Sequence, residues 1–272
     1  MEIIKWLRSK GCPWDPDSDY AACQGGHLET LMWLRSEGCP ITEYKCTKPA
    51  ARNGHLEILK LLRRWQLEKP PNGALGCELN GSACRGAAEG GHLETLKWLR
   101  SEGCPWDEGA CSCAANGAHL EALKWLRSAG CPWSQFACSI AVRCGHVEVL
   151  RWLRSEGCPW FEETSCDEAA ENGHLDVLKY LHESGCPWNK ETCRLAAHWG
   201  HLDVLKYLHE NGCPWDAETW WWARGSTRKW LEDNGCPQDF DRRKWLEENG
   251  IPEPDDYSDE YSDDYSDEEF DN

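Results

Sequence analysis

Two residue types in this chain could do chemistry, and both recur on a beat. Of 18 Cys, eight stand in Cys-Pro dipeptides at 12, 39, 104, 131, 158, 186, 213 and 236. A His follows Gly at 27, 55, 92, 146, 174 and 201, and follows Ala118 at 119. Thiolates and imidazoles bind zinc, and a thiolate can ligate haem iron, as in Cys-Pro haem-regulatory signals. The spacing points elsewhere. No Cys-x-x-Cys occurs; the recurring spacing is Cys-x6-Cys or Cys-x7-Cys, as in 104/111 and 158/166, and it follows the repeat and no zinc template. Cys111-x-Cys113 is the one close pair. A catalytic His needs a partner peculiar to its own site, whereas here the same His is copied into every unit. Cys is therefore read as a small buried hydrophobe and His as a first-turn residue of a helix. No phosphate loop, no Gly-x-Ser-x-Gly and no His-Glu-x-x-His is present. The expectation is no catalytic residue, no metal and no cofactor. A haem titration without a Soret shift would dispose of the rival reading, a haem- or metal-responsive Cys-rich protein.

The elements carrying these residues follow from the period. The Gly of Gly-Cys-Pro falls at 11, 38, 103, 130, 157, 185 and 212, so units run 27 or 28 residues, with one insertion of about ten near 65–80. The insertion, Trp65 to Asn80, is rich in Pro, Gly and Asn and reads as a loop. Each unit reads as two helices. In Ala137–Arg143, Cys138, Ala141 and Val142 share one face and are mostly small. In His146–Arg154, Val147, Leu150 and Leu153 form a stripe that Val149 and Trp152 widen. Gly145 and Gly157 stop the two helices and Pro159 prevents a restart. A 27-residue unit cannot bury its own apolar faces, but stacked units can, so stability becomes a sum of unit and neighbour terms.

The unit resembles an ankyrin repeat. Gly-His-Leu-Glu/Asp-x-Leu-Lys-Trp/Tyr-Leu at 91–99, 173–181 and 200–208 carries the resemblance, with Ala-Ala before it at 87–88, 169–170 and 196–197. Seven units over roughly 17–215 share it, in a short Cys-Pro-Trp form like that of expanded algal, water-mould and giant-virus families. Where the family has Thr-Pro-Leu-His, Cys84, Cys111, Cys138, Cys166 and Cys193 stand in the Leu slot and no His follows, which puts the usual His ladder in doubt. Cys and Trp take the family's Ala and Val slots in the turn. The unit is about six residues shorter than the usual 33, and the missing part is the projecting finger.

The resemblance implies an all-α helix-turn-helix solenoid that binds a protein partner on the concave face lined by first helices. Its variable positions are the candidate contacts: Arg52, Asn53, Arg85, Glu89, Asn116, Arg143, Asp167, Glu171, Arg194, His198 and Trp199. Trp199 stands out as an aromatic in a normally polar slot. The chain divides into a half-repeat over 1–15, the array over 16–215, degenerate capping repeats over 216–252 and an acidic tail over 253–272. Trp220 to Trp222 are expected to cover the last open face.

Net charge is −18, and the tail holds 11 acidic residues with no Lys or Arg, leaving −7 for residues 1–252. That distribution lacks the basic footprint of a nucleic-acid binder. Neither a signal peptide nor a membrane-length apolar run is present. The reading is an intracellular, monomeric scaffold or adaptor with no nucleic-acid or membrane partner. The tail, with three Tyr-Ser-Asp-Glu/Asp tetrapeptides from Tyr257 to Glu268, is expected to be disordered and open to phosphorylation. A chain that opens in mid-unit also fits an adaptor missing an N-terminal domain such as an F-box.

Overall fold

The computed structural model describes residues 2–41, 43–68 and 80–239. Regular structure among them is helical throughout, seventeen helices without a strand. The helix α1 (Glu2–Ser9) is followed by eight pairs. The first helices of the pairs are α2 (Ser18–Gln24), α4 (Glu43–Arg52), α6 (Gly81–Glu89), α8 (Glu108–Asn116), α10 (Phe136–Arg143), α12 (Ser165–Glu171), α14 (Lys190–His198) and α16 (Ala217–Trp222). The second helices are α3 (Leu28–Ser36), α5 (Leu56–Glu68), α7 (Leu93–Ser101), α9 (Leu120–Ser128), α11 (Val147–Ser155), α13 (Leu175–Glu183), α15 (Leu202–Glu210) and α17 (Gly225–Asp233). Each first helix packs on its own second helix and on the first helix of the next unit. First helices approach each other more closely than second helices do, because their mutual face is Ala and Cys.

Local chemistry sets both ends of each helix. The residue after the turn Trp caps the first helix: Asp107 accepts from the Gly109 amide at 3.1 Å, Asn189 from Glu191 at 2.8 Å, and Asp216 from Glu218 at 3.1 Å. Such a cap stabilises a helix by about 1 kcal/mol. Both helices close in the same motif. After α7 the Gly103 amide donates to the Arg100 carbonyl at 3.1 Å and Cys104 to Leu99 at 3.0 Å. After α6, Gly91 donates to Ala88 at 3.1 Å and His92 to Ala87 at 2.9 Å. The motif needs a left-handed residue, supplied by Gly103 at φ 78° and Gly91 at φ 70°. Gly-Cys and Gly-His are thus two spellings of one helix stop. Ala118 takes the Gly slot at φ 56°, the one non-Gly residue in that region among those described.

The core is continuous along the stack. In α11 the buried side chains are Val149, Leu150 and Leu153, while Val147 and Trp152 are half-buried. The expected stripe is present: Leu150 and Leu153 are buried, Val149 is buried beside them, and Val147 and Trp152 pack half-buried against the core. In α10, Cys138, Ala141 and Val142 are all buried as their spacing predicts. The insertion begins later than expected: α5 continues to Glu68, and Trp65 is buried with Arg35 4.1 Å over its ring. Asn80 caps α6, and residues 69–79 of the insertion lie outside the described residues. So do the acidic tail, the degenerate stretch from 240 and Cys77.

The turn tryptophans are not buried in the manner of the Val they replace. They form a half-buried bracket on the second-helix side. Arg100 lies 4.3 Å over Trp106, whose edge meets Trp125 of the next unit at 5.8 Å. Arg127, Trp133 and Trp152 repeat the arrangement, at 4.2 Å and 6.0 Å. Further along, His182 and His209 replace Arg and stack on Trp188 and Trp215 at 3.7 Å and 3.9 Å. Trp220 to Trp222 lie on α16, the last first helix among the described residues; α16 packs on α14, and α17 follows with Leu231 and Cys236 buried.

Candidate interaction surface

The repeated Cys and His are engaged between neighbouring units. In four of the units the ring Nε2 donates to a backbone carbonyl at the C-terminal end of the preceding unit's first helix: His55 to Gln24 at 3.0 Å, His146 to Asn116 at 3.0 Å, His174 to Arg143 at 2.8 Å and His201 to Glu171 at 3.0 Å. The same ring lies against the left-handed Gly of the preceding unit. A Cβ on Gly91 would fall 2.4 Å from His119, and one on Gly173 would fall 2.5 Å from His201. A His ladder therefore exists, built from the Gly-His residue, which sits at the N-cap of the second helix. It satisfies carbonyls that a helix end leaves orphaned.

The thiols form a second ladder. Cys104 donates to the carbonyl of Asn80 at 3.2 Å, Cys131 to Asp107 at 3.4 Å, Cys186 to Glu162 at 3.1 Å and Cys213 to Asn189 at 3.2 Å. Within a unit, Cys84 meets Cys104 with sulfurs 3.2 Å apart. The thiol contact and burial together push Cys84, Cys111, Cys138, Cys166 and Cys193 well above the ordinary thiol range. Thiols held protonated and buried are poor nucleophiles. Among the described residues no three His, Cys, Asp or Glu side chains gather as a metal site requires.

The side chains that vary between units fall into three columns on the first helices. The last residue of each helix gives Arg52, Glu89, Asn116, Arg143, Glu171 and His198. The next position, the C-cap, gives Asn53 and Trp199, with Gly25, Gly90, Gly117, Cys144 and Asn172 in the other units. The residue after the core Cys gives Arg85, Asp167 and Arg194.

Several candidates are tied to each other or to the frame. Arg52 pairs with Glu89 across units at 3.0 Å. Arg85 pairs with Asp107, and its guanidinium holds that carboxyl below the usual carboxylate range. Arg194 pairs with Glu191 on its own helix, with 2.7 Å from its Nε. Asn53 donates from its side chain to the Pro49 carbonyl at 2.9 Å, and Asn116 accepts from the Cys144 thiol at 3.4 Å. Arg143 and Glu171 are exposed; their carbonyls serve the His ladder while their side chains have no ion pair among the described residues.

At the C-terminal end the surface is aromatic. Trp199 is 55% exposed. Its ring meets that of His198 edge-on at 5.3 Å, and His198 meets Trp222 of the next unit at 6.0 Å. The His198 Nδ1 also lies 3.3 Å from the Trp222 carbonyl, which fixes the imidazole between the two indoles.

Acidic groups lie one helix before this patch. Burial pushes the Asp167 and Glu168 carboxyls up, against hydrogen bonds from Thr192 and Ser139 respectively. Ser139 reaches Glu168 at 2.8 Å and Thr192 reaches Asp167 at 2.5 Å. Sequence reasoning misses Glu168: it lies one position beyond the column after the core Cys, and its Ser139 partner is 29 residues away. An acid whose folded pKa is raised favours folding below its unfolded pKa, and that contribution is lost as pH rises through the folded value. Glu168→Gln keeps an acceptor for Ser139 and removes the charge. The variant is expected to gain stability relative to wild type at neutral pH. The difference should vanish as pH falls into the ordinary carboxylate range, as read from urea midpoints across a pH series.

Residues 110–192 match the family model described as ankyrin repeats (3 copies). No curated protein matches the chain in sequence. Among solved structures, the crystal structure of the human ASB11 ankyrin repeat domain aligns with a TM-score of 0.54 at 18% identity, covering 70% of this chain and 98% of that one. At that identity the likeness speaks for the fold. The helix pairs, the stops after each helix and the matched repeats agree: residues 110–192 carry ankyrin repeats, and the stack around them has the ankyrin-repeat fold.

Proposed function

We propose that the chain binds a protein partner on its row of first helices, as a scaffold or adaptor, and that the strongest contact lies at the C-terminal end around Trp199. The observation that carries this is Trp199 itself. In six other units its column holds Gly, Asn or Cys, and here it holds an indole that is 55% exposed. The frame does not require it there, and a fixed exposed Trp is the residue type that most often dominates binding energy. His198 and Trp222 stiffen the patch from one side, and Asp167, Glu168 and Glu171 border it from the preceding first helix. The chemistry suits a partner segment that offers an apolar or aromatic side chain beside a Lys or Arg. The closer spacing of the first helices favours a stack that bends toward this face, which would wrap such a segment.

Binding is favoured over catalysis for a structural reason. The His and Cys that could do chemistry are engaged at the contacts between units, through one bond geometry repeated along the stack.

The test is affinity capture from the source cells with wild-type and Trp199→Ala chains. Truncation at an exposed C-cap should leave the thermal unfolding curve within the usual range of surface changes, about ±0.5 kcal/mol. Loss of a hot spot is worth about 2 kcal/mol or more, roughly 30-fold in affinity. Equal retention of the same partner by both chains would refute the placement at Trp199.

A further inference from the structure

The opposite end of the same row has a different character. A groove of about 570 Å³ lies between α2, α4 and α6, lined by Tyr20, Gln24, Lys45, Lys48 and Arg52 and by one acid, Asp17. Lys45, Lys48 and Arg52 are exposed and fall on one face of α4, three and four residues apart. Neither lysine has an ion pair among the described residues; Arg52 shares Glu89 at 3.0 Å. Tyr20 adds a ring that is 38% exposed. In an array with net charge −7 over residues 1–252, this is a local cationic patch beside an aromatic side chain.

We propose that this groove is the docking site of the chain's own acidic tail, with the tetrapeptides between Tyr257 and Glu268 as the occupant. The match is chemical. Each tetrapeptide offers two carboxylates, a hydroxyl and one phenol ring, and the groove offers three cations and a phenol. The aromatic patch at α14 and α16 is bordered by carboxylates and would repel the same segment. Distance permits the contact within one chain. Six steps separate α16 from α4, and first helices packed at about 8–10 Å place the groove about 50–60 Å away. At about 3.3 Å per residue, the stretch from 240 to 264 can span about 80 Å before the last tetrapeptide begins. Phosphate on Ser258, Ser262 or Ser266 would add about −1.5 to −2 charges each and tighten the contact. The proposal concerns the N-terminal half of the face and does not depend on the partner at Trp199.

Zero-length carbodiimide cross-linking of the full chain tests it, with mass spectrometry of an equal mixture of unlabelled and 15N-labelled protein. The expected products join Lys45 or Lys48 to carboxylates between Asp255 and Glu269, within chains of one isotope. Products joining light to heavy chains would replace docking within one chain by pairing of two copies. Tail cross-links spread evenly over exposed lysines such as Lys97 and Lys124 would overturn the groove altogether. Arg52→Gln keeps both target lysines and removes the charge beside them. The yield at Lys45 and Lys48 should then fall about two- to fivefold, while any yield at Lys97 stays constant. An unchanged yield at the two lysines counts against the proposal, provided the variant's melting curve matches wild type.

Discussion

Leu150→Ala is expected to lower the stability of the array by about 2–5 kcal/mol, the range for a buried Leu whose site cannot collapse. Leu150 is 0% exposed and packs with Val149 and Leu153 against the small faces of the first helices. The first-helix residues buried in the same core are mostly Cys and Ala, which have no long side chain to swing into the space. Trp152 is the larger residue, yet it is half-buried on the outer side. Truncating it should cost less than truncating Leu150, reversing the order that size alone suggests. In a repeat array the loss is local. Urea unfolding should split into two phases, and hydrogen exchange should speed first in α10, α11 and their neighbours. A uniform loss of protection across all units would show that the stack unfolds as one block.

Gly90→Ala is the second large effect, and its sign turns on one contact. Gly90 has φ −88°, which Ala adopts freely. By chain entropy alone the change would stabilise the protein by about 0.4–1 kcal/mol. A Cβ at this position, however, would stand 2.0 Å from the Arg52 carbonyl oxygen and 2.7 Å from the His92 ring. The first obstacle is backbone, so α4 and α6 must move apart. Overpacking of this kind costs about 1–3 kcal/mol and at times more, so destabilisation wins. Gly103→Ala is the control. Its φ is 78°, with nothing within 4 Å of the added Cβ, so it carries conformational strain without a clash. A thermal melt showing Gly90→Ala to be as stable as wild type, or no worse than Gly103→Ala, would sink the steric argument.

The helix pairs, their stops and the unit length were legible in the sequence because each rests on local chemistry. Gly followed by His or Cys-Pro ends a helix whatever surrounds it. The small faces with Cys138 and Ala141, and the Leu rows, follow from helical spacing. What was not legible depends on the neighbour. The His ladder joins residues 30 or 31 apart through a ring nitrogen and a carbonyl, and a carbonyl has no signature in a sequence. The candidate columns read as one set before Gly-His, but the structure separates helix-end residues such as Arg143 from C-cap residues such as Trp199. Arg52, Arg85 and Arg194, named as candidate contacts, also pair with Glu89, Asp107 and Glu191, which their positions in the sequence did not disclose. Opposite charges on adjacent units could not be matched without knowing how closely α4, α6 and α8 pack. The Asp and Asn caps that follow Trp106, Trp188 and Trp215 were a missed signal that sequence does carry.

The contact through His and Gly gives the chain a grammar. In most units a left-handed residue, Gly in all but the one with Ala118, and a helix-end carbonyl face the next unit, and a His ring faces the one before. Both halves of the joint lie within one unit's length of sequence. A tandem copy of any such unit therefore arrives able to join on both sides, and removal of one leaves two ends that still fit. An array built this way can change in length by whole units without any compensating substitution, while the exposed columns are left to vary.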